Sequence, residues 1–374
     1  MIPSGEKIRV AYVIGGLPFG GVENWLYDLA MALKHDSEVE AHIVNVSGTG
    51  LKTPEFFEAG LCIACTGDNK DVLKTQRLST VRLVRDELRR IRPHIVHTLQ
   101  FSGDYFGRLA AWGLNVPVIT HIRNVKSERK WRRRLINRLL SFRTSLYLSV
   151  SKAAAETIRR EHNIARRPVQ VLYNAVEPAK LAVQPHDLGT MFGLQGPVVL
   201  GVGRLVEQKN FDVLLRAFAL VREQVPDAGL VIVGDGPLRD DLEQLKGRLG
   251  LDGKAVLAGY RPNSEVPRFL RAASVLAMPS AYEGLPVTHV EALFCGLPAV
   301  ISEHVPSIEI AADSSLVCST EPEDVAAKLL ELLTDASRRE RMGARALACA
   351  PDYSMERYVA RLKEVYRSLV ERGS

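Results

Sequence analysis

Residues 197–218, PVVLGVGRLVEQKNFDVLLRAF, run from an unbroken apolar segment through a glycine-bearing turn into a helical pattern. A strand with no polar alternation is one buried on both faces, as in a parallel sheet covered by helices. After the turn, Phe211, Leu214, Leu215 and Phe218 recur at the spacing of one helix face. Strand, turn and helix form the first half of a βαβ unit. The same rhythm continues downstream in GLVIVG, AVLAG, SVLAMP, PAVIS and SLVC. It also occupies the upstream half in IRVAYVI, AHIVNV, HIVHT, VPVIT, SLYLSV and VQVLY, with helical patterns such as VENWLYDLAMAL and TVRLVRDELRRI between them. Two successive series predict an α/β protein of two Rossmann-like, doubly wound domains. The break falls in residues 172–189, LYNAVEPAKLAVQPHDLG, which are rich in proline and polar side chains and show no clear period. The expected division is residues 1–180, residues 181–352 and a last helix in residues 353–374. That helix either completes the second domain or crosses back to the first.

The chain has 374 residues, 46% of them apolar, enough for two cores. No apolar run approaches the roughly 20 residues of a membrane span. The opening MIPSGEKIRVAYVIGG reads as a first strand rather than a leader, so a cytoplasmic protein is expected. Cys62, Cys65, Cys295, Cys318 and Cys349 are odd in number and scattered, which argues against a disulfide framework. They are expected as buried, inert thiols, with redox chemistry or a metal as the alternative for the lone CxxC of LCIACTG. The net charge of +6 is modest, and no nucleic-acid partner is expected. The charge is uneven, however. Residues 126–143, KSERKWRRRLINRLLSFR, carry eight basic residues against one acid, which points to an anionic surface as partner.

Open α/β sheets bind ligands beyond the carboxyl ends of their strands, and the chemistry-bearing motifs lie there. The first strand ends in GGLPFGGVENW, where Gly16, Gly20 and Gly21 precede a helix. Glycines admit close approach of a ligand, and a helix N-terminus offers free N–H groups to a phosphate. The motif is neither a dinucleotide fingerprint nor a P-loop. In GVGRLVEQKN, Arg204 and Lys209 flank the turn before the next helix, where two cations suit a diphosphate. VGDGP and AGYRPNSEV, the latter with Arg261, are further strand-end turns suited to framing a base. In SAYEGLPVTHVEALFCGLPAV, residues 280–300, Glu283 sits on a turn and Glu291 eight positions later on a helix. They are either two solvated acids or the holders of two ends of one elongated polar ligand.

GGVENW, LYNAVE, GRLVEQKNFDVLLRAF, VIVGDGP and SAYEGLPVTHVEALFCGLPAVIS together resemble the hallmarks of glycosyltransferase family 4. The resemblance spans nearly the whole chain and is strongest from Leu200 to Ile301. It implies the GT-B fold, two facing Rossmann-like domains with a cleft between them, and retaining sugar transfer in bacterial exopolysaccharide, capsule or lipopolysaccharide synthesis. It also implies that Glu291 binds the ribose hydroxyls of a sugar nucleotide, while Glu283 lies by the donor sugar with the backbone N–H groups of Gly284 and Leu285. His121, in VITHIRN, would approach the donor sugar and the reaction centre. Arg204 and Lys209 would hold the departing diphosphate, so no metal is required. The implied donor is a nucleotide sugar, UDP-linked. His97, Asp104 and Arg108 match the acceptor-side segment, with strand packing as the alternative for His97. Pro286 stands where many relatives have a second glycine, which removes one backbone donor, and His289 reads as helix packing. A sugar-nucleotide epimerase, a phosphorylase and a non-catalytic binding member remain as alternatives.

On a helical wheel Trp131, Leu135, Leu139 and Phe142 form an apolar stripe with basic flanks. Such a helix either turns the stripe into its own domain or lies in a membrane interface. The resemblance favours the second, with a glycan or lipid-linked acceptor and a peripheral place on the inner face of the cell membrane.

Overall fold

In the computed structural model, residues 6–18, 20–71, 73, 78–123 and 131–372 are described. The chain forms two compact units, one of residues 1–175 with 355–374, the other of residues 176–354.

The first unit is built on a seven-stranded parallel sheet in the order β3-β2-β1-β4-β5-β6-β7. Its strands are β1 (Ile8–Ile14), β2 (Val39–Asn45), β3 (Ile63–Cys65), β4 (Ile95–Leu99), β5 (Val118–Ile122), β6 (Leu146–Ser149) and β7 (Val169–Val171). Along β1 the side chains divide as the pleat requires. Val10, Tyr12 and Ile14 join Trp25, Leu26 and Leu29 on one face, while Ala11 and Val13 join Val84, Leu88 and Phe106 on the other. Both faces are covered, which is why the strand reads as continuously apolar. The helix Gln100–Ala110 lies close on β1 because Gly103 has no side chain. A Cβ there would stand 2.4 Å from the Val13 carbonyl oxygen. The C-terminal helix Met355–Arg372 packs on the first face and adds Met355, Tyr358, Leu362, Val365 and Tyr366 to that core.

The second unit has a six-stranded parallel sheet in the order β10-β9-β8-β11-β12-β13. These are β8 (Val198–Val202), β9 (Gly229–Val233), β10 (Ala255–Gly259), β11 (Val275–Met278), β12 (Ala299–Ser302) and β13 (Ser315–Cys318). The helix Phe211–Gln224 buries Phe211, Leu214, Leu215 and Phe218, the face anticipated from their spacing, against Val199, Leu230 and Ile232. Leu200, Val231 and Val233 face Phe269 and Ala292 on the other side.

One expectation is corrected. Cys62 and Cys65 are exposed free thiols, and only Cys318 among the five cysteines is buried. They lie at β3, a three-residue strand at the sheet edge with a partner on one side only. The apolar stripe of the basic segment does not turn inward. The helix Trp131–Leu140 buries Asn137 and Leu140, whereas Trp131, Leu135, Leu139 and Phe142 are 68%, 49%, 57% and 57% exposed. Asn137 is held by the buried Arg108, whose Nη2 donates to its Oδ1 at 2.6 Å. Lys126, Arg129 and Lys130 of the basic segment lie outside the described residues.

Candidate functional site

In the second sheet the chain winds outward from β8 on one side and from β11 on the other. These neighbours form the topological switch point, where doubly wound sheets take their ligands. After β8 the backbone is pressed against the turn that follows β9. Gly203 N–H donates to the Val233 carbonyl and Leu205 N–H to that of Asp235, both at 3.0 Å. Gly234, at φ +144°, sits so close to this loop that a Cβ would stand 1.9 Å from the Gly203 oxygen. Both the left-handed torsion and the contact require glycine.

The loop then crosses to β11. Gln208 Nε2 donates to the Tyr282 carbonyl at 2.9 Å, and Asn210 Nδ2 to that of Pro279 at 3.0 Å. Ala281 N–H returns a bond to the Gln208 carbonyl at 2.9 Å. This stitching brings Lys209 onto Glu283, Nζ to Oε1 at 2.6 Å. Glu283 is 8% exposed, so the bond is a charge-assisted one in a mostly dry setting. Lys209 is therefore not a bare cation. Arg204, on the same loop, is exposed and makes no ion pair among the described residues.

Gly284, Leu285 and Pro286 after Glu283 are buried. Pro286, at φ −63° and ψ +123°, is the extended cap of the helix Val287–Phe294, so its missing N–H lies just outside the helix. Glu291 stands half-buried on that helix. His289 is fully buried, with Nδ1 and Nε2 paired to the hydroxyls of Ser307 at 2.6 Å and Ser315 at 3.1 Å. Burial pushes its pKa down to about 4. Arg261 turns along its own segment, 3.8 Å from Glu265 and 6.0 Å from the Phe269 ring centre.

Gly16, Gly20, Gly21 and His121 belong to the first unit. Gly16 is packed against the chain, since a Cβ would meet the Ser47 hydroxyl at 2.9 Å, whereas Gly21 opens onto free space. Gly20 precedes the helix Gly21–Leu33, whose first turn already holds the buried Glu23 carboxylate. Burial raises the Glu23 pKa, opposed by hydrogen bonds at its own backbone and from Gln100 and by the positive charges of Lys52 and Arg123. His121 is the penultimate residue of β5, 1% exposed, its ring edge-on to Trp25 at 5.3 Å. Its Nδ1 lies 3.2 Å from His97 Nε2, while its Nε2 is buried and has no partner among the described residues. Burial first, then Arg123 and His97, hold the imidazole well below its ordinary pKa and therefore neutral. Asp104 is buried too. It accepts from Thr98 Oγ1 at 2.6 Å, and burial pushes its pKa up to about 6 against the pull of Arg108.

The Lys209–Glu283 bond, Gln208 and Asn210 as its stitches, and Tyr366 beside His97 escaped the sequence reading. An asparagine directly before the helical pattern FDVLLRAF is a local signal for Asn210, which the structure places in the left-handed region at φ +50°. Among the described residues no group of three or more His, Cys, Asp or Glu is placed to hold a metal ion, and no helix is long and apolar enough to cross a membrane.

Two family models match. "Glycosyl transferases group 1" matches residues 192–348, and "Glycosyltransferase Family 4" matches residues 19–180. The chain is 33% identical over 156 residues to the 2-deoxystreptamine glucosyltransferase of Streptomyces kanamyceticus, covering 40% of each chain. It is 28% identical over 268 residues to the UDP-Gal:alpha-D-GlcNAc-diphosphoundecaprenol alpha-1,3-galactosyltransferase of Escherichia coli, covering 66% of this chain and 65% of that one. In both, the match spans less than two thirds of the relative's length. The crystal structure of Anabaena HepE in complex with UDP superposes with a TM-score of 0.84 at 19% identity, over 96% of this chain and all of that one. At that identity the likeness speaks to the fold, which is GT-B.

Proposed function

This chain belongs to the group 1, family 4 glycosyltransferases, and we propose that it moves a glycosyl group from a UDP-sugar to an acceptor hydroxyl with retention of configuration. The carrying observation is the Lys209–Glu283 pair at the β8/β11 switch point, with Arg204, which makes no ion pair among the described residues, on the same loop. A carboxylate accepts hydrogen bonds from sugar hydroxyls, and the two cations suit a diphosphate whose charge grows as it departs. With one oxygen bound by the Lys209 ammonium, Glu283 is better placed to orient the sugar than to attack its anomeric carbon. Same-face displacement fits that arrangement. The anomeric carbon–diphosphate bond breaks, the bond to the acceptor oxygen forms on the same face, and the acceptor proton passes to a diphosphate oxygen. Glu291 would take the ribose hydroxyls.

UDP as the nucleotide is supported by HepE, a fold neighbour seen with UDP, and by the E. coli relative, whose name specifies UDP-galactose and a diphosphoundecaprenol acceptor. A lipid-linked acceptor also suits the outward apolar stripe of Trp131–Leu140 and its arginines. Cell-surface polysaccharide synthesis at an anionic membrane face follows as the setting. The test is a thermal-shift panel of UDP- and GDP-sugars, followed by turnover of the stabilising donor on a polyprenyl-diphosphate-linked acceptor. Saturation at about 100 times Kd should add roughly 2.7 kcal/mol, and NMR of the product should show the donor's anomeric configuration. An inverted product, or turnover of the donor with no acceptor present, would overturn the reading.

A further inference from the structure

A line of four hydrogen-bonding side chains crosses the core of the first unit. Tyr12 on β1 pairs its hydroxyl with that of Tyr366 at 2.7 Å, and Tyr366 reaches His97 Nδ1 at 2.9 Å. His97 Nε2 then meets His121 Nδ1 at 3.2 Å, and among the described residues the line stops at His121 Nε2. All four residues are 1% exposed or less. Tyr366 comes from the C-terminal helix, 269 residues along the chain from His97.

We infer that Tyr366, acting through His97, sets the tautomer of His121, so that His121 Nε2 carries the hydrogen and serves the donor sugar as a hydrogen-bond donor. Each neutral imidazole has one N–H and one acceptor nitrogen, so either every bond along the line is donated toward His121 or a hydroxyl hydrogen of Tyr12 or Tyr366 is left over in the core. In one sense Tyr12 donates to Tyr366, Tyr366 to His97 Nδ1, and His97 Nε2–H to His121 Nδ1. The hydrogen left over sits on His121 Nε2, near the carboxyl end of β5, where it is buried without a partner among the described residues and the proposed donor sugar would supply its acceptor. In the opposite sense the hydrogen left over is the Tyr12 hydroxyl's. It is sealed mid-strand in a core where Tyr12 has no other partner among the described residues, a cost no ligand can remove. The first sense also leaves no acceptor empty at the end of β5. Tyr366 and His97 are positioning residues in this arrangement. Burial, Arg123 and His97 keep His121 neutral, which the relay requires. The tilted His97–His121 ring pair and the edge-on Trp25 fix the plane of the ring.

This inference rests on the reading of His121 as a contact to the donor sugar, and the experiment separates the two. In the full chain labelled with 15N-histidine, NMR should find His121 as the Nε2–H tautomer between about pH 6 and 8, with no titration across that range. Tyr366→Phe removes the donor to His97 Nδ1 and makes the two senses nearly equal. It should give a tautomer mixture, with kcat lowered roughly tenfold and the donor KM little changed. Tyr12→Phe leaves Tyr366 still donating, and should keep both tautomer and kcat. An Nδ1–H His121 in the unmodified protein, an unchanged tautomer in Tyr366→Phe, or equal loss in the two tyrosine variants would overturn the relay. Normal turnover by His121→Ala would instead overturn the donor-contact reading, with the tautomer result still standing.

Discussion

At the scale of single residues, the Lys209–Glu283 bond makes the two cations of the proposed diphosphate clamp unequal. Replacing either Arg204 or Lys209 with Ala should lower kcat by roughly 10²-fold, the size of one lost electrostatic donor. Only Lys209→Ala also strands the buried Glu283 carboxylate, which should cost about 1–3 kcal/mol of stability in urea unfolding. Near-normal turnover in both variants would remove the clamp. The glutamates should divide in a second way. Glu291→Ala should weaken binding of UDP and UDP-sugar alike, whereas Glu283→Ala should leave UDP binding intact while turnover collapses. Equal losses of UDP affinity by calorimetry would end that division of labour. His289 offers a pH signature. Folding holds it neutral with a pKa of about 4, against 6.5 unfolded. Below pH 6.5 the unfolded chain therefore takes up a proton that the folded chain refuses. Its contribution is whole above that pH and is lost as pH falls toward 4, by up to about 3 kcal/mol at 1.36 kcal/mol per unit. A His289→Gln variant should show a shallower loss over that window, and parallel pH–stability curves would count against it.

At the scale of elements, the surface of the helix Trp131–Leu140 does not follow the usual division of apolar in and polar out. It is anchored by a polar contact, Asn137 to Arg108, and by Arg133 stacked 4.3 Å from the Phe101 ring, while its large apolar side chains face outward beside Arg132, Arg134 and Arg138. A membrane interface rewards that arrangement, each basic residue near anionic lipid adding about 1 kcal/mol. The protein should therefore co-sediment with vesicles containing phosphatidylglycerol and much less with purely zwitterionic ones. Arg132, Arg134 and Arg138 changed together to Glu should abolish sedimentation, since all three are exposed and none carries the helix anchor. Binding indifferent to lipid charge would favour a soluble acceptor.

For the molecule as a whole, each unit has its own core, and the C-terminal helix belongs to the first although the chain reaches it only after completing the second. Met355, Tyr358, Val359, Leu362, Val365, Tyr366 and Leu369 are buried on it. At about 1.5–3 kcal/mol for each large apolar side chain, their loss is comparable to or larger than the 5–15 kcal/mol that typically holds a domain together. A chain ending at Ser354 should lose the calorimetric transition of the first unit and keep that of the second. Two transitions as in the full chain would show the helix to be dispensable.

The parallel strands and their helices were legible in the amino-acid sequence because that information is local. A strand covered on both faces is an apolar run, a helix on its sheet repeats at 3.6 residues, and a strand-end turn shows its glycines. The stretch around Glu283, Pro286 and Glu291 was likewise legible as a family pattern. Other features had no local signature because they join distant positions. Lys209 and Glu283 are 74 residues apart, and His97 and Tyr366 are 269 apart. The same holds for the outward stripe of Trp131–Leu140, where the wheel defines a face and cannot say which way it turns. A buried hydrogen bond between side chains leaves no period in either of the segments it connects, so only the folded chain brings its two ends together and decides which proton is left for a ligand.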